Sequence, residues 1–89
     1  RHKESLVKTI ALRHMQVNQR GIIRHITAQG ELGRRIRDMG LVPGTPFTVV
    51  GRAPLEDPVA LRLRGFTLTL RNNEADFITV DVEDEDALW

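Results

Sequence analysis

The stretch LGRRIRDMGLVPGTPFTVV, residues 32–50, changes character three times. Leu32, Ile36 and Met39 recur at helical spacing and form one apolar stripe, while Arg34, Arg35, Arg37 and Asp38 fall elsewhere around the helix. Gly40 follows the last stripe residue, where a left-handed backbone ends a helix at low steric cost. That ending folds the next residue back, which predicts Leu41 against Ile36. In VPGT, residues 42–45, Pro43 and Gly44 occupy the two centres of a type II turn. FTVVGR, residues 47–52, then reads as a strand. The corner is therefore first a joint, with Gly40, Leu41, Pro43 and Gly44 as its structural residues.

Outward from the corner the pattern is mostly β. GIIRHIT, residues 21–27, is apolar and β-branched. VALRLR, residues 59–64, alternates with Val59, Leu61 and Leu63 on one face and Arg62 and Arg64 on the other. Arg64-Gly65 reads as a two-residue hairpin turn, with Gly65 supplying its conformational freedom. Phe66, Leu68 and Leu70 alternate again. RNNEA, residues 71–75, reads as one helical turn that Asn72 can cap. FITVDV, residues 77–82, is the last strand. About five short strands with one helix after the first cannot bury so many apolar positions in a flat sheet. Closing them into a small barrel does, and it removes the edges. The expectation is a mainly β, SH3-like barrel over residues 9–82. Residues 1–8 form a polar tail, and residues 83–89 (EDEDALW) form an acidic one.

Length and composition bound the rest. Eighty-nine residues make one domain, and 40% hydrophobic residues suffice for one core. With no cysteine, disulfides, thiolate metal sites and cysteine nucleophiles are all excluded. No apolar run approaches the ~20 residues of a membrane helix, and the first ten residues lack the apolar core of a signal peptide. The expectation is a cytoplasmic domain without membrane insertion. The net charge of +1 hides an asymmetry. Residues 1–40 carry nine Lys/Arg against three acids, and residues 41–89 carry four against nine. Such a split marks a charged partner, or two halves that neutralise each other.

With those pieces in place, the chain resembles a known family. The run RRIRDMGLVPGTPFTVVGRAPLEDPVALRLRGFTLTLRNNEADFITV, residues 34–80, resembles the ferrous iron transport protein A (FeoA) family. That pattern has a basic helix ending in MGL.PG, a strand, APL.DP, two strands around RG, a turn of the type L...EA and a final I.V. VNQRGIIRHI, residues 17–26, resembles its opening strand, so the likeness spans residues 10–82. Asn18 stands where glycine is expected before that strand, and asparagine tolerates the same left-handed backbone. The resemblance implies an accessory of bacterial ferrous iron uptake. Its partner would be a FeoB-type transporter, met at its cytoplasmic G domain or its membrane region, whose GTPase or gate it would modulate. The same module closes some metal-dependent repressors, so a free-standing metal-linked regulator is the alternative.

Candidate sites follow from what the residues offer. No GxxxxGK[ST] is present, and no acid–base pair can be argued from spacing, so no catalytic residue and no cofactor is expected. His2, His14 and His25 lack the spacing that builds a metal site on one helix face, so no metal ligands are assigned. Nucleic acid is not expected as a partner. Single-strand binders interleave basic residues with stacking aromatics, whereas Phe47, Phe66 and Phe77 read as core. Protein docking remains. Arg34, Arg35 and Arg37 on the helix, Arg52, Arg62 and Arg64 on strands, and Val42 and Pro43 at the corner are its candidate residues. Oligomeric state is open.

Overall fold

A computed structural model describes residues 7–52 and 58–83. Six antiparallel strands form one sheet: β1 (Val7–Ala11), β2 (Arg20–Ile26), β3 (Pro46–Arg52), β4 (Val59–Leu63), β5 (Phe66–Leu70) and β6 (Ile78–Glu83). A 3-10 turn (Leu12–His14) follows β1, helix α1 (Gly30–Asp38) joins β2 to β3, and a one-turn helix α2 (Asn72–Ala75) precedes β6. The strand order is β1-β6-β2-β3-β4-β5. β6 therefore enters between the first two strands and closes the fold late in the chain.

The alternating strands bury what alternation predicts. Val59, Leu61 and Leu63 of β4 and Ile78, Val80 and Val82 of β6 lie in one core with Ile23, Phe47, Val49 and Leu70. Leu12, Met15, Ile36 and Leu41 plug it from outside the strands, each at most 2% exposed. A sheet whose inner faces share one core must curl, and this one does so without pairing its ends. Among the described residues β1 and β5 remain edges, so the expected closure is by packing rather than by a complete ring of hydrogen bonds.

β1 is the sixth strand, and the sequence reading missed it. Val7 and Lys8, assigned to the polar tail, pair with Glu83 and Val82 of β6. Its first three residues are exposed, so it carries almost no apolar alternation to read. Backbone pairing and the Thr9 hydroxyl, which donates to Asp81 Oδ1 at 2.6 Å, hold it instead. Glu83, assigned to the acidic tail, ends β6. The rest of both tails and most of the loop APLEDP lie outside the described residues.

Two other expectations need correction. Phe66 and Phe77 are 46% and 39% exposed, and only Phe47 is core. Phe66 does lie on the core-facing side of β5, paired with buried Leu63. It begins an edge strand, however, and the core no longer covers it there. In α2 the N-cap is Arg71, not Asn72, and the Glu74 carboxylate reaches back to the Arg71 N–H at 3.0 Å. That contact is the carboxylate half of a capping box.

α1 lies close on the segment that leads into it from β2, and Gly33 makes this possible. A Cβ there would fall inside contact distance of the Ala28 carbonyl oxygen and 3.0 Å from its carbon. Gly33→Ala should therefore cost about 1–3 kcal/mol through forced backbone shifts. Gly51→Ala, whose Cβ would meet nothing within 4 Å, should stay within about 0.5 kcal/mol of the parent. Urea unfolding of both variants checks the difference.

Candidate functional site: the helix corner

The joint is built as its residues dictate. Gly40 has φ +100°. Its N–H donates to the Arg37 carbonyl at 2.9 Å, and the Leu41 N–H donates to the Ile36 carbonyl at 3.3 Å. These are the two bonds of a Schellman ending. Leu41 and Ile36, at 0% and 1% exposure, meet in the core as expected. Gly44 has φ +95°, and the Thr45 N–H donates to the Val42 carbonyl at 3.1 Å, which completes the type II turn. Thr45 Oγ1 donates to the Gly40 carbonyl at 3.3 Å, so the turn also satisfies the helix end.

What no local pattern reveals is how the turn is anchored. The Gly44 N–H donates to the Ile23 carbonyl at 2.8 Å, and the Ile23 N–H donates to the Thr45 carbonyl at 2.9 Å. Ile23 sits where the β2–β6 register shifts by one residue, so the turn docks beside a bulge. A second tie runs through Arg35, whose guanidinium donates to the Glu74 carboxylate, linking α1 to α2. Glu74 is only 7% exposed, and this arginine is its charged partner.

The arginines therefore part company. Arg35 belongs to the frame. Arg37 folds back along the helix, placing Nη1 3.2 Å from where a Gly33 Cβ would stand. Arg34 is exposed, but it shares the outer helix face with Glu31 and Asp38, so that face is mixed rather than basic. Arg52 is not presented as expected. Its Nη2 donates to the Arg13 and Met15 carbonyls at 2.9 and 2.8 Å, clamping the segment after β1. Arg62 points away from the corner, on the opposite side of β4 from buried Leu61 and Leu63. Arg64 sits at the tip of the β4–β5 hairpin. There Gly65 (φ +88°) alone takes positive φ, a type II geometry rather than a primed hairpin turn.

That hairpin comes to the corner. A Cβ on Gly40 would stand 3.5 Å from Phe66 Cζ and 3.9 Å from Leu63 Cδ2. Phe66, 46% exposed, thus lies beside the helix ending, and Val42, 40% exposed, and exposed Pro43 follow directly in the chain. The structure thus brings Phe66 to the helix ending from which exposed Val42 and Pro43 follow, with Arg64 two residues before Phe66 in the hairpin. Phe66 is the member the sequence reading missed, because its alternation placed it in the core.

Among the described residues no three His, Asp or Glu side chains converge, and His14 and His25 are both exposed. No helix among them is long and apolar enough to cross a membrane. A charge perturbation lies on the sheet. The Thr9 hydroxyl bond, aided by Arg24 at 3.1 Å, holds the Asp81 carboxyl below its ordinary value.

A curled antiparallel sheet of this size with a helix let in after β2 is an SH3-like barrel. The FeoA domain model matches residues 10–82, and the chain belongs to that family. A fusion protein of Fe(2+) transport protein A and Fe(2+) transporter FeoB from Porphyromonas gingivalis is 34% identical over 71 residues. That match covers 80% of this chain but only 8% of the fusion protein. The solution structure of a FeoA-like protein from Clostridium acetobutylicum is 41% identical, with a TM-score of 0.77. It covers 84% of this chain and 87% of that one. Two further structures share the fold alone. One is a zinc-complexed FeoA from Stenotrophomonas maltophilia, described as an SH3 domain protein. It is 19% identical at a TM-score of 0.70 and covers 84% of this chain and 98% of that one. The other, a manganese-dependent transcriptional repressor, is 18% identical at 0.75 and covers 84% and 41%.

The pH dependence follows from the sign of the Asp81 shift. A carboxyl with a lowered folded pKa adds stability that is present above its unfolded value of about 3.9. That stability is lost as pH falls through the lower folded value. Asp81→Asn should therefore flatten the acid limb of the stability curve below about pH 4, and Thr9→Val should flatten it in part. Urea midpoints from pH 2 to 7 check this.

Proposed function

We propose that this chain is a non-catalytic accessory of ferrous iron uptake that docks on a FeoB-type transporter through the helix corner. The observation that carries this reading is the apolar pair Val42 and Phe66, half exposed on a corner whose backbone is tied down on every side. Side chains held by such a frame lose little freedom on binding. Pro43 extends the patch, and Arg34 and Arg64 flank it with the residue type enriched at binding hot spots. A relative that carries both transport proteins in one polypeptide adds support. Fusion holds two modules at a high effective concentration, which separate chains match only by binding. Modulation of the GTPase or the gate then requires that docking favour one transporter state over another.

The second reading, a metal-linked regulator, has the fold likeness to the manganese-dependent repressor behind it. It requires a rise in melting temperature with added ferrous or manganous ion.

The test is an NMR titration of the labelled chain with the cytoplasmic G domain of its cognate transporter, loaded with GDP or with a GTP analogue. Shifts should cluster at residues 40–45 and 63–66 and be stronger with one nucleotide. Phe66→Ala and Arg64→Glu should each weaken the complex by about tenfold with folding intact. Unchanged affinity in both removes the corner from the interface. No shifts with either nucleotide remove the G domain as the docking partner.

A further inference from the structure

β5 ends the sheet, and its outer side differs from that of β1, the other edge. Charge or proline usually keeps an edge from pairing. β1 carries exposed Lys8, whereas Phe-Thr-Leu-Thr-Leu, residues 66–70, carries neither. The two-residue turn at Arg64 and Gly65 fixes which backbone groups look outward. Leu63 and Phe66 close that hairpin and exchange hydrogen bonds, and so do Leu61 with Leu68 and Val59 with Leu70. The alternate residues, Thr67 and Thr69, therefore turn their N–H and C=O groups away from β4. Both residues are exposed, and among the described residues no backbone bond takes up those groups.

This edge is complementary to itself. Turned antiparallel about Leu68, it sets Thr67 opposite Thr69 of a second copy and Thr69 opposite Thr67. Both pairs then exchange hydrogen bonds, and every outward group of the strand is satisfied. A shift by two residues either way sets one threonine on its own equivalent and sends the other onto Gly65 or Arg71. The Arg71 N–H is already taken by Glu74. In the matched register Phe66, 46% exposed, falls opposite Leu70 of the second copy, and half-buried Leu68 meets its equivalent. Like charges stay apart. Arg64 runs toward Asn72 and Arg71 toward Gly65 of the second copy. Arg62, beside Thr67 on β4, lines up with Ala60 there.

We propose that the chain pairs with a second copy of itself through β5, joining two sheets into one across a two-fold axis. The backbone of β5 carries the contact, which does not rest on the docking reading.

Sedimentation equilibrium from about 20 µM to 2 mM should show the mass rising toward twice that of one chain, as a weak contact of small area requires. Amide exchange at Thr67 and Thr69 should slow over the same range. Thr67→Glu with Thr69→Glu sets acid against acid across the axis, while within each chain Glu at 67 faces Arg62. It should weaken pairing by about tenfold with far-UV circular dichroism unchanged. Thr67→Glu with Thr69→Lys sets opposite charges across the same axis and should pair at least as well as the parent. If the charged variants fail to fold, Thr69→Pro decides, because it removes an N–H that no bond within the sheet uses. It should fold and lose pairing. A single-chain mass at every concentration overturns the proposal. So does a rise in mass that the two-glutamate or the proline variant leaves intact, or one that the Glu/Lys variant loses equally.

Discussion

The two hydrogen bonds between Ile23 and the turn at residues 42–45 are the constraint on which the corner depends. They join a mid-strand residue of β2 to the Gly44 amide and the Thr45 carbonyl, across the whole helical excursion. Without them the C-terminal end of α1 would lose its anchor to β2, leaving the apolar stripe, the Gly33–Ala28 approach and the Arg35–Glu74 tie to hold the helix. Only Ile36 of that stripe is fully buried, while Leu32 and Met39 are partly so. A nine-residue helix is too short to be stable by itself. It persists here because both ends are fixed: Gly33 lies on Ala28 at one end, and the Schellman ending runs into an anchored turn at the other. The Arg35–Glu74 tie then sets α2 against α1 and leads the chain into β6.

The same frame would let this corner act as the proposed platform. Backbone groups at helix ends and turns normally face water. Here they face each other, which leaves side chains rather than main chain to meet a partner. Val42, Pro43 and Phe66 are apolar surface that the core does not need. The proposed docking rests on them.

Much of this was legible in the sequence, for local reasons. A Schellman ending and a type II turn are specified by the residues within them, so Gly40, Leu41, Pro43 and Gly44 could be read directly. Asn18 could be read too, and it takes φ +76° as the turn before β2 requires. β4 and β6 alternate because each has one wet face and one dry face. The misses share a different cause. β1 is exposed along much of its length and owes its place to pairing with β6, far along the chain. Phe66 has the right parity but the wrong depth, since alternation gives a side and not a cover. The fates of Arg35, Arg52 and Arg62 depend on Glu74, on the carbonyls of Arg13 and Met15, and on the face of β4. None of these is encoded beside the arginine itself.

Native-state hydrogen exchange at the Gly44 amide tests the central claim most directly. If the corner is a preorganised part of the fold, Gly44 and Ile23 exchange only on global unfolding, at the same free energy as Val80 in the core. If Gly44 instead exchanges at the rate of an exposed loop while Val80 stays protected, the turn is not anchored, and the corner is a flexible link rather than a platform.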